Sequence, residues 1–383
     1  MDLGKYNISA SRGFLPLTDP IVSLPSSFQA WEVVAAHLPD LIRGKTVREE
    51  VDRLPPFPTD DLCSEAEWWR AFCLLTFVSH SYVWCEGDRG VARSLPEVLA
   101  VPWCKVARHL DMPPVVTHST AVLHNWRRID ENGEMNRDNL KSLFSFTGTV
   151  DEEWFYLDTV LVEITAIRFI KQIPAILKNC VEQRNNSGLV ENLHEVEQAI
   201  KAVQDAIYHM RDKCKPAVFY TQIRTFHAGW FNSDVLPEGL SYKGVSDTPL
   251  QYCGGNAGQS SILATLDTLL GVEHGGSVLE FNMTQREHMV REHRHFLKDL
   301  KATVTLKDYV RSSNDDQLLT AYNKCVQALV ELRCEHIKLV SLYIVIQKSK
   351  EGGQVSLQTK GTGGTGFMQY LKTSRDDTIK TKL

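Results

Sequence analysis

The chain has 383 residues, 43% of them hydrophobic and 23% charged, with a formal net charge of −5. That length exceeds what one hydrophobic core usually serves, so two lobes are expected, and the composition is that of a folded protein, not a disordered one. The negative balance supplies no basic field for nucleic acid and no polybasic patch for a membrane surface. The N-terminus lacks an apolar signal region, and no stretch approaches the roughly 20 apolar residues of a membrane span. The expectation is a soluble protein of the cytoplasm. The nine cysteines are scattered without a CxxC pair, which argues for reduced thiols.

Along the chain, Pro55, Pro56 and Pro58 end one segment, and Thr59-Asp-Asp61 offers N-cap chemistry to a following helix. That helix carries Trp68, Trp69, Phe72, Leu75 and Val78 as a strong apolar face. A second helix is predicted over 95–110, stopped by Met112-Pro-Pro114, and a short third over 119–128. Polar residues 130–139 read as a loop, so 1–146 makes a first, smaller lobe. The second lobe, 147–383, opens with 154–170, apolar on most sides and therefore a buried central helix. An amphipathic helix fills 189–213, Lys215-Pro216 breaks it, and another carries Phe219, Ile223, Arg224 and Phe226. The glycine turn Cys253-Gly-Gly-Asn-Ala-Gly258 precedes an apolar helix at 260–270, and 316–346 runs without Pro or Gly. Residues 348–366, rich in Gly, Ser and Lys, should form a mobile loop, with a short helix at 367–373 after it. There is no βαβ alternation and no internal repeat, so the fold class is all-α in two helical lobes.

The chemistry-bearing residues are few. His336 lies on the long helix among Leu329, Leu332, Leu339, Val340 and Tyr343, which share its face at helical spacing. A buried imidazole needs a partner. A hydrogen-bonded core histidine is the commoner outcome; a haem iron, which takes one proximal imidazole, is the other. Arg224 sits among Phe219, Tyr220, Ile223, Phe226 and Trp230, either paired with a structural carboxylate or ready to fork onto a ligand carboxylate. Arg333, one turn before His336, is a similar case, with Asp267 as a possible partner. The glycine turn is either close packing or backbone lying against a flat ligand. Gly361-Thr-Gly-Gly-Thr-Gly366 lacks the Lys and Ser/Thr of a phosphate loop and follows no strand. His288, His293 and His295 are spaced by five and two, which does not put them on one helix face for zinc. No Gly-x-Ser-x-Gly elbow occurs.

Several segments together resemble the indoleamine 2,3-dioxygenase family. They are Ser145-Phe-Thr-Gly148 with Val162-Glu-Ile164, Arg224-Thr-Phe-His-Ala-Gly-Trp230, Gly254-Gly-Asn-Ala-Gly-Gln-Ser-Ser261, Leu332-Arg-Cys-Glu-His336 and Lys360-Gly-Thr-Gly-Gly364, with Met112-Pro-Pro114 and Asn125-Trp126 ahead of them. Each is weak alone, but in this order over about 5–375 they are specific. The resemblance implies haem b between two helical lobes, mostly held by the larger, with His336 as proximal iron ligand. Arg333 and Asp267 match the proximal polar pair, and Gly254, Gly255, Asn256 and Ala257 the turn against the cofactor. Phe155, Thr159, Phe219, Arg224 and His118 match distal positions: Arg224 for the substrate carboxylate, Phe155 and Phe219 for the indole. Thr362 matches the loop residue over the substrate amino group.

The implied reaction inserts both atoms of O2 across the indole C2–C3 bond of L-tryptophan, giving N-formylkynurenine, the first step of tryptophan catabolism. No protein base is required, an external electron donor must reduce ferric haem, and a monomer is the family expectation. The sequence departs from the family pattern at Cys334-Glu335, Asn256 and Asp158. His118 and Thr159 resemble the low-affinity vertebrate paralogue, which implies weak tryptophan affinity. Two alternatives stay open: a myoglobin-like O2 carrier, since some mollusc myoglobins resemble this family, and a signalling member with little turnover.

Overall fold

The computed structural model describes residues 1–350, 362 and 366–383. The principal elements in chain order are α1 (Glu65–Trp84), β1 (Ser94–Leu95), α2 (Glu97–His109), β2 (Trp126–Arg128), β3 (Leu140–Ser142), α3 (Val150–Ile170), α4 (Asn186–Tyr208), β4 (Ser241–Tyr242), α5 (Ser261–Leu270), α6 (Asp316–Val340) and α7 (Phe367–Ile379). Strand structure among the described residues is confined to two short pairings, β1 parallel to β4 and β2 antiparallel to β3. The architecture is all-α. No described helix is long and apolar enough to cross a membrane.

Local chemistry sets the helix ends. Thr59–Asp61 forms only a single 3₁₀ turn, and the cap of α1 is Ser64. Ser64 Oγ accepts from Glu67 N at 3.3 Å while Glu67 Oε2 accepts from Ser64 N at 3.0 Å, a reciprocal capping box that satisfies two orphan donors. Expected helix 95–110 is α2. Expected helix 119–128 is not continuous: a π-type turn, Ser119–Leu123, gives way to β2. Asn125 is the reason. Its buried amide donates to Phe144 O at 3.2 Å and accepts from Phe144 N at 2.8 Å, a bridge that fixes the pairing Trp126↔Ser142 beyond it.

Two hydrophobic cores result. The first draws on Leu15 through Val160 and on Phe226, Trp230, Leu240 and Tyr242. The second draws on Leu3, Tyr6, Ile8 and Phe14 and on Ala166 through Leu332. The cores thus exchange segments across position 146. Tyr242 Oη donates to Pro114 O at 2.7 Å, and β4 pairs with β1, which ties the segment around 240 to the first core. α3 passes from one core to the other, with Tyr156 and Val160 in the first and Phe169 and Ile170 in the second. This double duty is why it reads as apolar all round. α4 lies along both α3 and α6.

α6 is capped by Asp315, whose carboxylate accepts from Gln317 N and Leu318 N at 3.0 Å. It continues through a π-type turn, Ser341–Val345, into Ile346–Lys350, so residues 348–350 are helical. The rest of the expected mobile loop, 351–361 and 363–365, and most of the Gly361–Gly366 run lie outside the described residues. α7 reaches Ile379, two turns beyond the expected end at 373, because Ser374 and Thr378 are buried where the helix packs on α6.

Candidate functional site

His336 lies one turn before the end of α6, just ahead of the π-type turn. Such local bulges recur at functional sites. Its neighbours are apolar: Leu332 and Leu339 line one cavity with it, Val340 and Tyr343 an adjoining one. Leu329 is turned into the second core. Burial pushes the imidazole down to about 4, with the Arg333 charge adding to the effect, so the ring is neutral near pH 7. Among the described residues the ring makes no hydrogen bond. The hydrogen-bonded core histidine is therefore not what the fold builds.

The two cavities share Phe155, His227, Gly255, Asn256, Ala257 and His336 in their walls. They form one continuous space between α3, the glycine turn and α6.

Beside His336, Arg333 Nη2 donates to Asp267 Oδ1 at 2.5 Å. Asp267 Oδ2 also meets His274 Nε2 at 3.2 Å, and His274 Nδ1 meets Asp377 Oδ2 on α7 at 3.1 Å. Arg333 lines the first cavity, and its Nε is buried without a partner among the described residues. Asp267 stands behind it, outside both cavity walls. Glu335 faces away from His336, as a one-residue step of about 100° requires, and pairs with Arg211 at 2.6 Å and Lys338 at 3.2 Å.

The opposite wall is built by α3 and the turn Arg224–His227. The rings of Phe155 and Phe219 lie 5.0 Å apart at 59°. Arg224 is buried and lines the second cavity; burial lowers its pKa, while Tyr220 and Asp88 oppose the shift. Thr159 lines the first cavity with its hydroxyl donated back to Phe155 O at 2.8 Å. His118 and Glu163, both buried, meet at 2.8 Å (Nε2 to Oε1), and Ser260 Oγ donates to the same carboxylate at 2.8 Å. Asp158 also faces this cavity. It is bonded to Arg137, and burial raises its carboxyl to about 7 against that guanidinium's pull.

The glycine turn divides its labour. A Cβ on Gly254 would meet Gly229 N and His227 O at 2.2 Å, so Gly254 is demanded by two backbones crossing and does not face the cavity. Its expected place is against the cofactor; in the structure it lines neither cavity and packs behind the turn. Gly255 has room for a Cβ, its nearest neighbours lying at 3.6 Å, and it does line both cavities. Asn256 accepts from Gly258 N at 2.9 Å and donates to Gln285 Oε1 at 2.7 Å, bracing the turn from outside. Thr362 lines the second cavity, donates its hydroxyl to Gly255 O at 2.8 Å and accepts from Gly254 N at 3.1 Å through its carbonyl.

Thus His336, Arg333, Phe155, Phe219, Arg224, Thr159, His118, Gly255, Asn256, Ala257 and Thr362 are brought to one continuous space. His288 and His293 have separate partners, Thr284 O at 3.0 Å and Ser261 Oγ at 3.2 Å. Sequence reasoning missed His227, Glu163 and the clasp of His274 with Asp377. His227 and Glu163 stand inside segments already singled out, three residues from Arg224 and one turn from Thr159. Nothing in the sequence links His274 to Asp377.

The model of the family described as indoleamine 2,3-dioxygenase matches residues 2–381. Indoleamine 2,3-dioxygenase 2 of Homo sapiens is 37% identical over 392 residues, covering 100% of this chain and 96% of the relative. Indoleamine 2,3-dioxygenase of Saccharomyces cerevisiae is 34% identical over 426 residues, covering 99% and 93%. A myoglobin of Haliotis diversicolor is 32% identical over 384 residues, covering 99% and 98%. With its whole length matched and its cavity walled by the same motif segments, the chain belongs to the indoleamine 2,3-dioxygenase family.

Proposed function

We propose that this protein is a haem-dependent dioxygenase that opens the indole C2–C3 bond of L-tryptophan with O2 to give N-formylkynurenine. The observation that carries the reading is His336: a neutral imidazole, unpartnered among the described residues, facing an apolar cavity that also receives a buried arginine. The residues present fit haem b. His336 offers a bare ring nitrogen to iron. The orphaned Nε of Arg333 suits a propionate, with Asp267 holding the guanidinium in place. Gly255 lets backbone approach a flat macrocycle.

Haem, when bound, supplies the activation of O2. The chain's own residues bind, orient and exclude water. Arg224 takes the substrate carboxylate by a charge-assisted fork. Phe155 and Phe219 pack the indole and keep the wall apolar. Thr362, docked on the glycine turn, closes the side where the amino group lies. We infer weak tryptophan affinity from His118 and Thr159, and division into a lobe 1–146 over the distal side and a lobe 147–383 carrying the cofactor, with each core borrowing segments from across that boundary. When bound, the haem would require an external electron donor, and the protein acts as a monomer in the cytoplasm.

One observation favours a second reading, an O2 carrier: the full-length similarity to a Haliotis diversicolor myoglobin. Arg224 argues for the enzyme, because a carrier has no use for a carboxylate clamp inside its cavity. Haem titration into the apoprotein tests the binding part. Stoichiometric uptake by the wild type and loss in His336→Ala is the expected result; equal uptake by the variant refutes the ligand assignment.

A further inference from the structure

His227 is buried, lines both cavities, and has no role in the mechanism above. Its ring is held edge-on against Phe155 and Phe146, with centroids at 5.5 Å and 5.8 Å. Nε2 lies 3.0 Å from Tyr156 Oη, and Tyr156 Oη lies 2.8 Å from Glu152 Oε1. Glu152, fully buried, is met by Phe146 N at 2.8 Å, Thr147 N at 2.6 Å, Ser145 Oγ at 2.6 Å and Thr147 Oγ1 at 2.6 Å. Each of these groups has a hydrogen to give, so Glu152 is an acceptor throughout. Tyr156 must therefore donate its one proton to Glu152. Burial and the neighbouring Glu152 raise its pKa well above the usual value, so that proton stays.

The Tyr156 oxygen is then left with lone pairs facing His227, and Nε2 must carry the hydrogen. Burial pushes the imidazole down to about 4, so the ring is neutral and carries one proton only. Nδ1 is the bare nitrogen. Among the described residues it has no hydrogen-bond partner. Arg224 and His227 begin and end one 3₁₀ turn, in which positions three apart eclipse, so both present to the second cavity. A carboxylate clamp and a fixed acceptor thus share one wall that is otherwise largely apolar.

We propose that His227 Nδ1 accepts a hydrogen bond from an N–H of the substrate, and that Glu152 and Tyr156 act as positioning residues that fix this tautomer. The inference rests on the reading of the cavity as a tryptophan site. Tryptophan has two N–H donors, the indole nitrogen and the α-ammonium. An acceptor in an apolar wall discriminates against an analogue lacking its donor, because the nitrogen is then desolvated and unpaired.

The test uses haem-loaded wild type, His227→Leu, His227→Asn and Tyr156→Phe. Each is measured for kcat and KM, and by calorimetric binding to the ferric protein, with L-tryptophan, 1-methyl-L-tryptophan and indole-3-propionate. The wild type should discriminate by about tenfold against the analogue whose donor His227 meets. The methyl analogue reports the indole N–H, and the propionate the ammonium. His227→Leu should lose that discrimination, through KM and binding more than kcat, with the affected analogue bound as before. His227→Asn, which keeps an oxygen near the Nδ1 position, should restore part of it. Tyr156→Phe, which frees the tautomer, should fall between. If His227→Leu fails to fold, the Asn and Phe variants carry the test. Equal loss on all three ligands would make His227 a packing residue and overturn the inference while leaving the tryptophan reading intact. A haem-loaded wild type that binds no tryptophan would overturn both.

Discussion

The Arg333 guanidinium donates to Asp267 at 2.5 Å, one turn of α6 before His336, and both side chains are buried. The pair anchors the wall that presents His336. Removing one member leaves the other charge buried and alone, which costs roughly 3–5 kcal/mol. Asp267→Ala should lower the unfolding free energy by that order in denaturant titrations and weaken haem uptake. Unchanged stability would mean that Arg333 finds another partner.

The same aspartate extends the wall to the C-terminal helix. Burial pulls His274 down, but its bonds to Asp267 and Asp377 outweigh this and raise its pKa, while both carboxylates are lowered. A raised histidine contributes stability that is complete below the unfolded value of about 6.5 and is lost as pH rises through the higher folded value. The carboxylates contribute above their unfolded values and lose that contribution as pH falls through their lowered ones. The clasp should therefore be tightest in mildly acidic solution. Protection factors for amide exchange in Phe367–Ile379, corrected for the intrinsic base-catalysed rate, should fall between pH 6 and 9, and His274→Ala should flatten that dependence. A pH profile unchanged by the variant would contradict it.

The glycine turn gives a paired prediction. Gly254→Ala places a Cβ 2.2 Å from Gly229 N and His227 O, where only backbone can move, so soluble yield and thermal stability should fall sharply. Gly255→Ala meets nothing closer than 3.6 Å, against Val116 and Thr117, and should fold; because Gly255 lines both cavities, its haem occupancy should be the quantity that falls. The two variants should thus separate folding from loading, in melting curves and haem titrations respectively.

What the sequence made legible follows what it had to bury. α3 and α6 were read because long apolar runs with no Pro or Gly allow little else. The 119–128 segment was misread because a single buried Asn125, bridging the backbone of Phe144, outweighs a helical pattern. α7 was read short because its buried face uses Ser374 and Thr378 instead of apolar residues. His336 and Arg224 were visible as polar groups in apolar company. Gly254 was visible as special, but only the crossing with Gly229 shows that packing demands it. The His274–Asp377 contact and the Glu163–His118 pair arise from tertiary folding of distant segments, which no local pattern encodes.

Arg224 supplies the substrate-side prediction. Losing a charged hydrogen bond to a carboxylate costs roughly 1.5–3 kcal/mol, so Arg224→Ala should reduce kcat/KM by about 10- to 150-fold while haem loading persists. Arg224→Lys should recover little, since an ammonium cannot reproduce the planar fork. Wild-type KM in the Ala variant would remove the carboxylate clamp from the site.

The most direct measurement reduces the haem-loaded protein anaerobically, admits O2 and L-tryptophan, and follows N-formylkynurenine against time. Repeated turnover, with product exceeding protein and a KM well above the micromolar range, is expected. Reversible O2 binding without product would contradict the enzyme and leave the carrier, and a protein that takes up no haem would contradict both.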